Sequence, residues 1–369
     1  MSWNPEVAYN DLPTLPPQNF DESKAILRQT TKSRVALESL RQAVNLIPNN
    51  EILIQTIPIL EAKGSSEIEN IVTTTDDLFK YIDADDNADP ATKEALRYRK
   101  ALWIGIQSLQ KCPLSTRTMT EVCSALRDTN ITIRRHPGTY IGSSSTKSII
   151  YTPPFGESVI LDKLQNLSEF LHDETDELDP LVKMAIAHYQ FEAIHPFSDG
   201  NGRTGRVVNI LYLVEQGLLD QPVLYLSKYL IENKADYYKA LLNVTQNQAW
   251  EEWILFMLKA VETTATWTKN KVSAIVKLEQ MTIDYIRANE ELNKIYSREL
   301  VDAIFQRPYC RVANLVDNNI AQRQTAMKYL KQLSDHGILL SLPIGREKLF
   351  INHRLMDLLM SDSHSFSHF

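Results

Sequence analysis

Apolar residues recur at intervals of three and four over residues 23–46, and the same period returns at 92–109, 158–171, 180–194, 203–216, 235–242 and 249–289. Each stretch predicts a helix with one buried face. A further helix follows Pro113 and runs to about Arg127. The segment SSEIENIVTTTDDLFKYI, residues 65–82, offers two helix starts. Ser66 with Glu69 three residues on forms a capping box, and the threonine run before Asp76 and Asp77 forms a second cap, so two short consecutive helices are expected. Residues 1–20 hold four prolines and read as an extended arm lying on the surface or on a neighbour.

The pattern changes twice. Residues 131–160 place β-branched and aromatic residues around a Gly/Ser/Thr/Lys centre, which predicts a β-hairpin whose second strand ends at Pro153 and Pro154. Residues 290–354 read as three helical segments followed by a small hairpin, the order of a winged helix. No internal repeat is present.

At 369 residues with 43% hydrophobic and 23% charged residues, the composition is that of a globular protein with room for two domains and a lead-in segment. The N-terminus lacks a basic, apolar leader, and no apolar run approaches the roughly 20 residues that span a bilayer, so a cytoplasmic address without membrane attachment is expected. Cys112, Cys123 and Cys310 are widely spaced and odd in number, which predicts free thiols and no structural zinc. The net charge of −7 argues against a whole-chain polyanion binder, although residues 290–354 carry ten Lys/Arg against seven Asp/Glu.

The chemistry concentrates in HPFSDGNGRTGR, residues 195–206, a loop between two helical patterns. Gly200, Asn201 and Gly202 permit positive φ and close backbone approach just before a helix N-terminus, which makes an anion nest. Arg203 and Arg206 share a helical face in the first turn, where a cation opposes the helix dipole unless a polyphosphate occupies the site. Asp199 offers a hard carboxylate for Mg²⁺, and His195 has the reach and titration range of a general base.

These residues resemble the Fic family, whose signature HPFx(D/E)GNGRxxR is filled here at every fixed position. YQFEAIHPF before it and Tyr237-Tyr238 after it are similar too, so the resemblance spans roughly residues 65–260. It implies a mainly α fold: a Fic helical core with a β-hairpin flap, plus a C-terminal winged-helix domain. The implied divisions are an N-terminal arm and helical segment at 1–110, a catalytic core at 111–289 with flap 134–156 and motif 195–206, and a winged-helix-like region at 290–369. The implied activity is transfer of AMP from ATP to a Ser, Thr or Tyr hydroxyl of a protein target. The resemblance implies that ATP would be contacted by Gly200, Asn201, Gly202, Arg203, Thr204, Gly205 and Arg206, with Asn201 and the backbone amides at the α-phosphate, Arg203 at the β- and Arg206 at the γ-phosphate. By the same resemblance Asp199 would bind the metal, Tyr238 would either reach the adenine or simply pack, Phe197 would anchor the loop, and His195 would take the hydroxyl proton as pyrophosphate leaves. The flap pairs with the target's backbone.

SSEIEN, residues 65–70, fits the family's inhibitory pattern (S/T)xxxE(G/N) through Ser65, Glu69 and Asn70. By this resemblance Glu69 pairs with Arg206 and displaces the γ-phosphate, which makes the chain its own brake. A capping role for Glu69 is the competing reading. Removal of AMP by the same site, and a DNA-binding winged-helix regulator with a vestigial core, are the rival functions. Arg323, Lys328 and Lys331 on the third C-terminal helix motivate the latter. Docking of a protein, including a second copy in a homodimer, is the other use of that module.

Overall fold

The computed structural model describes residues 3–18, 20–47, 51–82, 87–142, 148–344 and 347–369. Its helices are α1 Lys24–Asn45, α2 Glu51–Ile68, α3 Thr75–Tyr81, α4 Pro90–Leu109, α5 Thr116–Arg127, α6 Glu157–His172, α7 Pro180–Ile194, α8 Asn201–Glu215, α9 Leu226–Glu232, α10 Lys234–Asn247, α11 Trp250–Ala288, α12 Arg298–Gln306, α13 Val312–Asp317, α14 Arg323–Asp335 and α15 His353–Met360. The strands are β1 Ile141–Gly142, β2 Ile149–Tyr151, β3 Tyr309–Cys310, β4 Leu340–Ile344 and β5 Glu347–Ile351. Among the described residues, no helix is long and apolar enough to cross a membrane.

Helices α7 and α8 form the centre. Their side chains are buried nearly all round, from Leu181 to Ile194 and from Arg203 to Leu213, as befits helices enclosed by others. Asp179 caps α7 by accepting from Leu181 N–H, and Pro180 occupies the first helical position, where a missing donor costs nothing. Around them pack α2, α4, α5 and α6, with α1 lying along the 39-residue α11.

The expected helix start at Ser66 is overturned. Ser65 and Ser66 lie in the last turn of α2, buried at 0% exposure, and Glu69 follows the end of that helix. The apolar run Ile52, Leu53, Ile57, Ile59, Leu60 extends the buried face backwards through Pro58, and this packing sets the helix direction more strongly than a local cap signal. The second predicted cap is present, with Thr74 Oγ1 accepting from Asp77 N–H. Helices α9 and α15, which the periodicity does not announce, are one to two turns long.

Strands β1 and β2 pair antiparallel, shorter than the expected hairpin, and residues 143–147 at its centre lie outside the described residues. The proline-rich arm runs beside β2: Tyr9 N–H donates to Thr152 O, Lys163 Nζ to Leu12 O, and Trp3 and Tyr9 pack on Tyr151. At the other end, α12, β3, α13, α14 and the β4–β5 pair form a unit with sheet order β3-β5-β4. The three cysteines are free.

Candidate active site

The α7–α8 junction is built by its own backbone. His195 follows the last turn of α7 in the left-handed region (φ 50°, ψ 59°), and Gly200 precedes α8 at φ 83°. Gly200 supplies no side-chain cap, so the first-turn N–H groups of α8 point outward at the positive end of the helix dipole. Phe197, fully buried against Phe191, pins the loop. Asn201 closes it: its Oδ1 accepts from Phe197 N–H at 2.9 Å and its Nδ2 donates to Phe197 O at 2.8 Å. These two bonds use the amide oxygen and one of the two Nδ2 hydrogens, so the side chain locks the loop while its second N–H and its backbone N–H stay uncommitted to it.

Both arginines of the motif are buried, Arg203 at 2% and Arg206 at 1% exposure. Arg206 Nε donates to Ser65 Oγ at 2.8 Å, and its Nη2 donates to Ser65 O at 2.9 Å and to Glu69 Oε1 at 2.8 Å. Burial opposes the Glu69 charge, yet Arg206 prevails and holds the carboxyl below its usual range. A Cβ at Gly202 would stand 2.3 Å from Glu69 Oε1, so this carboxylate rests directly on the first turn of α8. The capping reading of Glu69 is thereby excluded: its carboxylate serves the arginine across the site.

A second charge chain lies beside the first. Arg203 Nη1 is 2.8 Å from Glu94 Oε1, the same oxygen accepts from Arg127 Nη1 at 3.1 Å, and Arg127 lies 3.1 Å from Asp199 Oδ2. Arg203 Nε has no hydrogen-bond partner among the described residues, an unfilled donor in a buried place. Asp199 is half-exposed, and its Oδ1 accepts from Gly200 N–H. Among the described residues no group of three His, Cys, Asp or Glu side chains converges as a metal cage. One hard carboxylate beside a phosphate nest is nonetheless the protein's ordinary share of a Mg²⁺–nucleotide site, since the ion keeps waters and phosphate oxygens as its other ligands.

Burial, with Arg134 adding to it, pushes His195 down to about 4, so its imidazole is neutral at physiological pH. Burial also pushes Glu192, one turn earlier on α7, up to about 7; its Oε1 lacks a partner among the described residues. Of the two adjacent tyrosines, Tyr237 is buried with its hydroxyl 2.8 Å from His188 Nε2, whereas Tyr238 is 44% exposed beside it. The motif thus gathers His195, Asp199, Gly200, Gly202, Arg203, Thr204, Gly205 and Arg206 at one junction, with Glu69 upon it. Glu94 and Arg127 join the site without a sequence motif to announce them, and Arg134 and Glu192 join it from the flap and from YQFEAIHPF, whose patterns assign neither a role. Only the tertiary fold brings Glu94 within reach of Arg203.

Comparison with known proteins agrees with this geometry. The family model described as Fic/DOC family matches residues 117–213, the Fic/DOC family N-terminal model matches 27–107, and the model of the C-terminal domain of SoFic-like protein adenylyltransferases matches 278–355. A protein adenylyltransferase of Caenorhabditis elegans is 36% identical over 89 residues, covering 24% of this chain and 16% of the relative. A probable protein adenylyltransferase of Aquifex aeolicus is 38% identical over 78 residues, 21% of this chain and 23% of the relative. The chain therefore matches less than a quarter of either relative's length. A crystal structure of a Fic family protein from Desulfovibrio desulfuricans superposes over 90% of this chain and 97% of its own, with a TM-score of 0.53 at 17% identity, which speaks for the fold alone.

Proposed function

Because the chain belongs to the Fic/DOC family, we propose that it transfers AMP from ATP to Ser, Thr or Tyr hydroxyls of protein targets and that Glu69 restrains this activity. The observation that carries the reading is the Glu69 carboxylate seated on Gly202 and Arg206: an anion site at a helix N-terminus whose present anion is tethered to the chain. The relatives are named adenylyltransferases, which favours transfer over removal of AMP.

The first-turn N–H groups of α8 receive the α-phosphate, while Arg203 and Arg206 neutralise the β- and γ-phosphates. Asp199 is the residue that would hold Mg²⁺, which would supply charge neutralisation to the polyphosphate. Neutral His195 accepts the target's hydroxyl proton as that oxygen bonds to the α-phosphorus. The bond from the α-phosphorus to the bridging oxygen breaks, and pyrophosphate leaves with its charge on the two arginines. With Glu69 in place, Arg206 is occupied and the γ-phosphate lacks its counter-charge, so ATP binds in an unproductive pose. Tyr238, half open at the rim, is the candidate for the adenine face. The β1–β2 hairpin presents the target. We read residues 1–110, 111–289 and 290–369 as lead-in with brake, catalytic core and winged-helix docking module, acting in the cytoplasm and open to homodimer formation.

ATP labelled at the α-phosphate tests the proposal with wild type, Glu69→Gly and Glu69→Gly/His195→Ala. Strong labelling of lysate protein by Glu69→Gly, weak labelling by wild type and none by the double variant is expected. A silent Glu69→Gly protein that folds and binds ATP overturns it. Salt-dependent binding of duplex DNA would turn the C-terminal module from docking to DNA recognition.

A further inference from the structure

A helix ends with carbonyls that lack intrahelical partners, and at α7 these carbonyls belong to the very turn that bears His195. Four successive carbonyls, Ala193 and Ile194 at the end of α7 and His195 and Pro196 just beyond it, are taken by the two limbs of the flap. Tyr151 Oη donates to Ala193 O at 2.8 Å, Arg134 Nη2 donates to Ile194 O at 3.1 Å, Arg134 Nε donates to His195 O at 2.7 Å, and Arg134 N–H donates to Pro196 O at 3.0 Å. Arg134 Nη2 also donates to Pro154 O on the opposite limb. Arg134 as a residue is 8% exposed, and its side-chain N–H groups are donated to the three carbonyls of Pro154, Ile194 and His195. Its charge is spent on carbonyls at the negative end of α7, where a cation is stabilised by the helix dipole.

We propose that Arg134 is a positioning residue for His195: from the root of the flap it holds the left-handed turn on which the histidine stands, and so ties the target-presenting hairpin to the base. His195 sits at φ 50°, a conformation costly for a residue with a Cβ, and the carbonyls on either side of it need donors that α7 cannot supply. Arg134 supplies both from one rigid planar group, which a single-point ammonium cannot do. The anchorage extends outward, because Tyr151 is packed between the flap and Trp3 and Tyr9 of the N-terminal arm. The charged groups that face His195 are Arg134 from the flap root, Glu69 beyond α2 and Asp199 in the loop, while the Glu192 backbone on α7 faces the ring as a hydrogen-bond acceptor. Arg134 is the cation among them, so its removal also lets the imidazole hold its proton to higher pH.

The inference rests on the AMP-transfer reading for its kinetic test, and NMR titration of the His195 ring separates the two. Arg134→Gln and Arg134→Lys are made in the Glu69→Gly protein, and the ring signal, one of eight histidines, is assigned by its loss in His195→Asn. In Arg134→Gln the His195 midpoint is expected to rise by about one unit. Transfer at pH 7 should fall about 10- to 100-fold in kcat with the KM for ATP within about twofold. Arg134→Lys should keep the parental midpoint, because the charge remains, and recover part of kcat. Tyr151→Phe, which removes one carbonyl donor and no charge, should lower kcat without moving the midpoint. An unchanged midpoint in Arg134→Gln, or parental kcat in Arg134→Lys, overturns the proposal. Should Arg134→Gln fail to fold, Arg134→Lys decides by its kcat, or, where transfer is absent even from the Glu69→Gly parent, by the chemical shift and line width of the His195 ring. In that last case the function fails while a shifted or broadened ring still upholds the positioning role.

Discussion

Gly202 shows how much a single hydrogen atom decides in this site. A methyl there meets Glu69 Oε1 at 2.3 Å, and with that carboxylate gone the next neighbour is Arg206 Nη1 at 3.1 Å. Gly202→Ala should therefore lower Tm in the wild type but leave it level or raised in the Glu69→Gly protein, where the helix gains from alanine by about 0.5–1 kcal/mol. The coupling is read from a double-mutant cycle, and additive effects would contradict it. On the proposed function, transfer should be lost in both backgrounds, since the methyl would stand where that reading puts the phosphate. Glu192 gives a pH prediction. Its folded-state value, about 7, lies above the ordinary 4.5, so the stability it contributes is complete below 4.5 and is lost as pH rises through 7. Glu192→Gln should flatten the stability profile over that window, by roughly 1–3 kcal/mol at pH 8 in urea melts. The junction that brings His195, Arg203 and Arg206 together is legible in the sequence because the three stand at fixed spacing along one loop. Arg134 and Glu94 are not, because each acts across a tertiary contact that local spacing leaves unspecified.

Among the elements, the end of α2 is the most informative. The helix stops at Ile68, Glu69 N–H still donates to Ser66 O, and Asn70 turns into the left-handed region at φ 62°. That conformation suits glycine or asparagine, which gives a physical reason for either residue to follow the glutamate. Asn70→Gly should preserve the brake, whereas Asn70→Val should cost about 1–2 kcal/mol and swing Glu69 away from Arg206. Raised basal labelling in Asn70→Val, with Asn70→Gly still quiet, is the expected pair of results. The long helices followed from their periodicity: residues 180–194 coincide with α7 end to end, and α1 begins after the serine that caps it, Ser23. The direction of α2 is not legible in SSEIEN, because a Ser-x-x-Glu spacing is the same whether it opens a helix or spans its close. Direction was settled by the buried run from Ile52 to Leu60, which belongs to the core rather than to the motif.

At the scale of the molecule, the C-terminal unit leans on the segment that holds Glu69. Helix α12 packs on α2, Tyr309 Oη donates to Asp76 Oδ1 at 2.5 Å at the start of α3, and Arg311 Nη2 donates to Lys80 O at 3.4 Å. Buried Lys271 in α11 closes the same side by donating to Leu358 O, Ser361 O and Ser363 O at 2.6–2.7 Å. Tyr309→Phe should consequently loosen the α2–α3 corner and raise basal labelling modestly, by about two- to fivefold if the loss is one hydrogen bond of about 0.5–1 kcal/mol. Labelling unchanged from wild type would place the C-terminal unit outside the control of the site. The contact between Glu69 and Arg206 also has a meaning apart from catalysis. A carboxylate fixed by covalent linkage acts as an internal ligand whose effective concentration does not vary with metabolism. The resting molecule carries its buried guanidinium already neutralised, whether nucleotide is abundant or scarce. Added ATP is accordingly expected to raise the Tm of the released Glu69→Gly form more than that of the resting form, a difference a thermal melt would read.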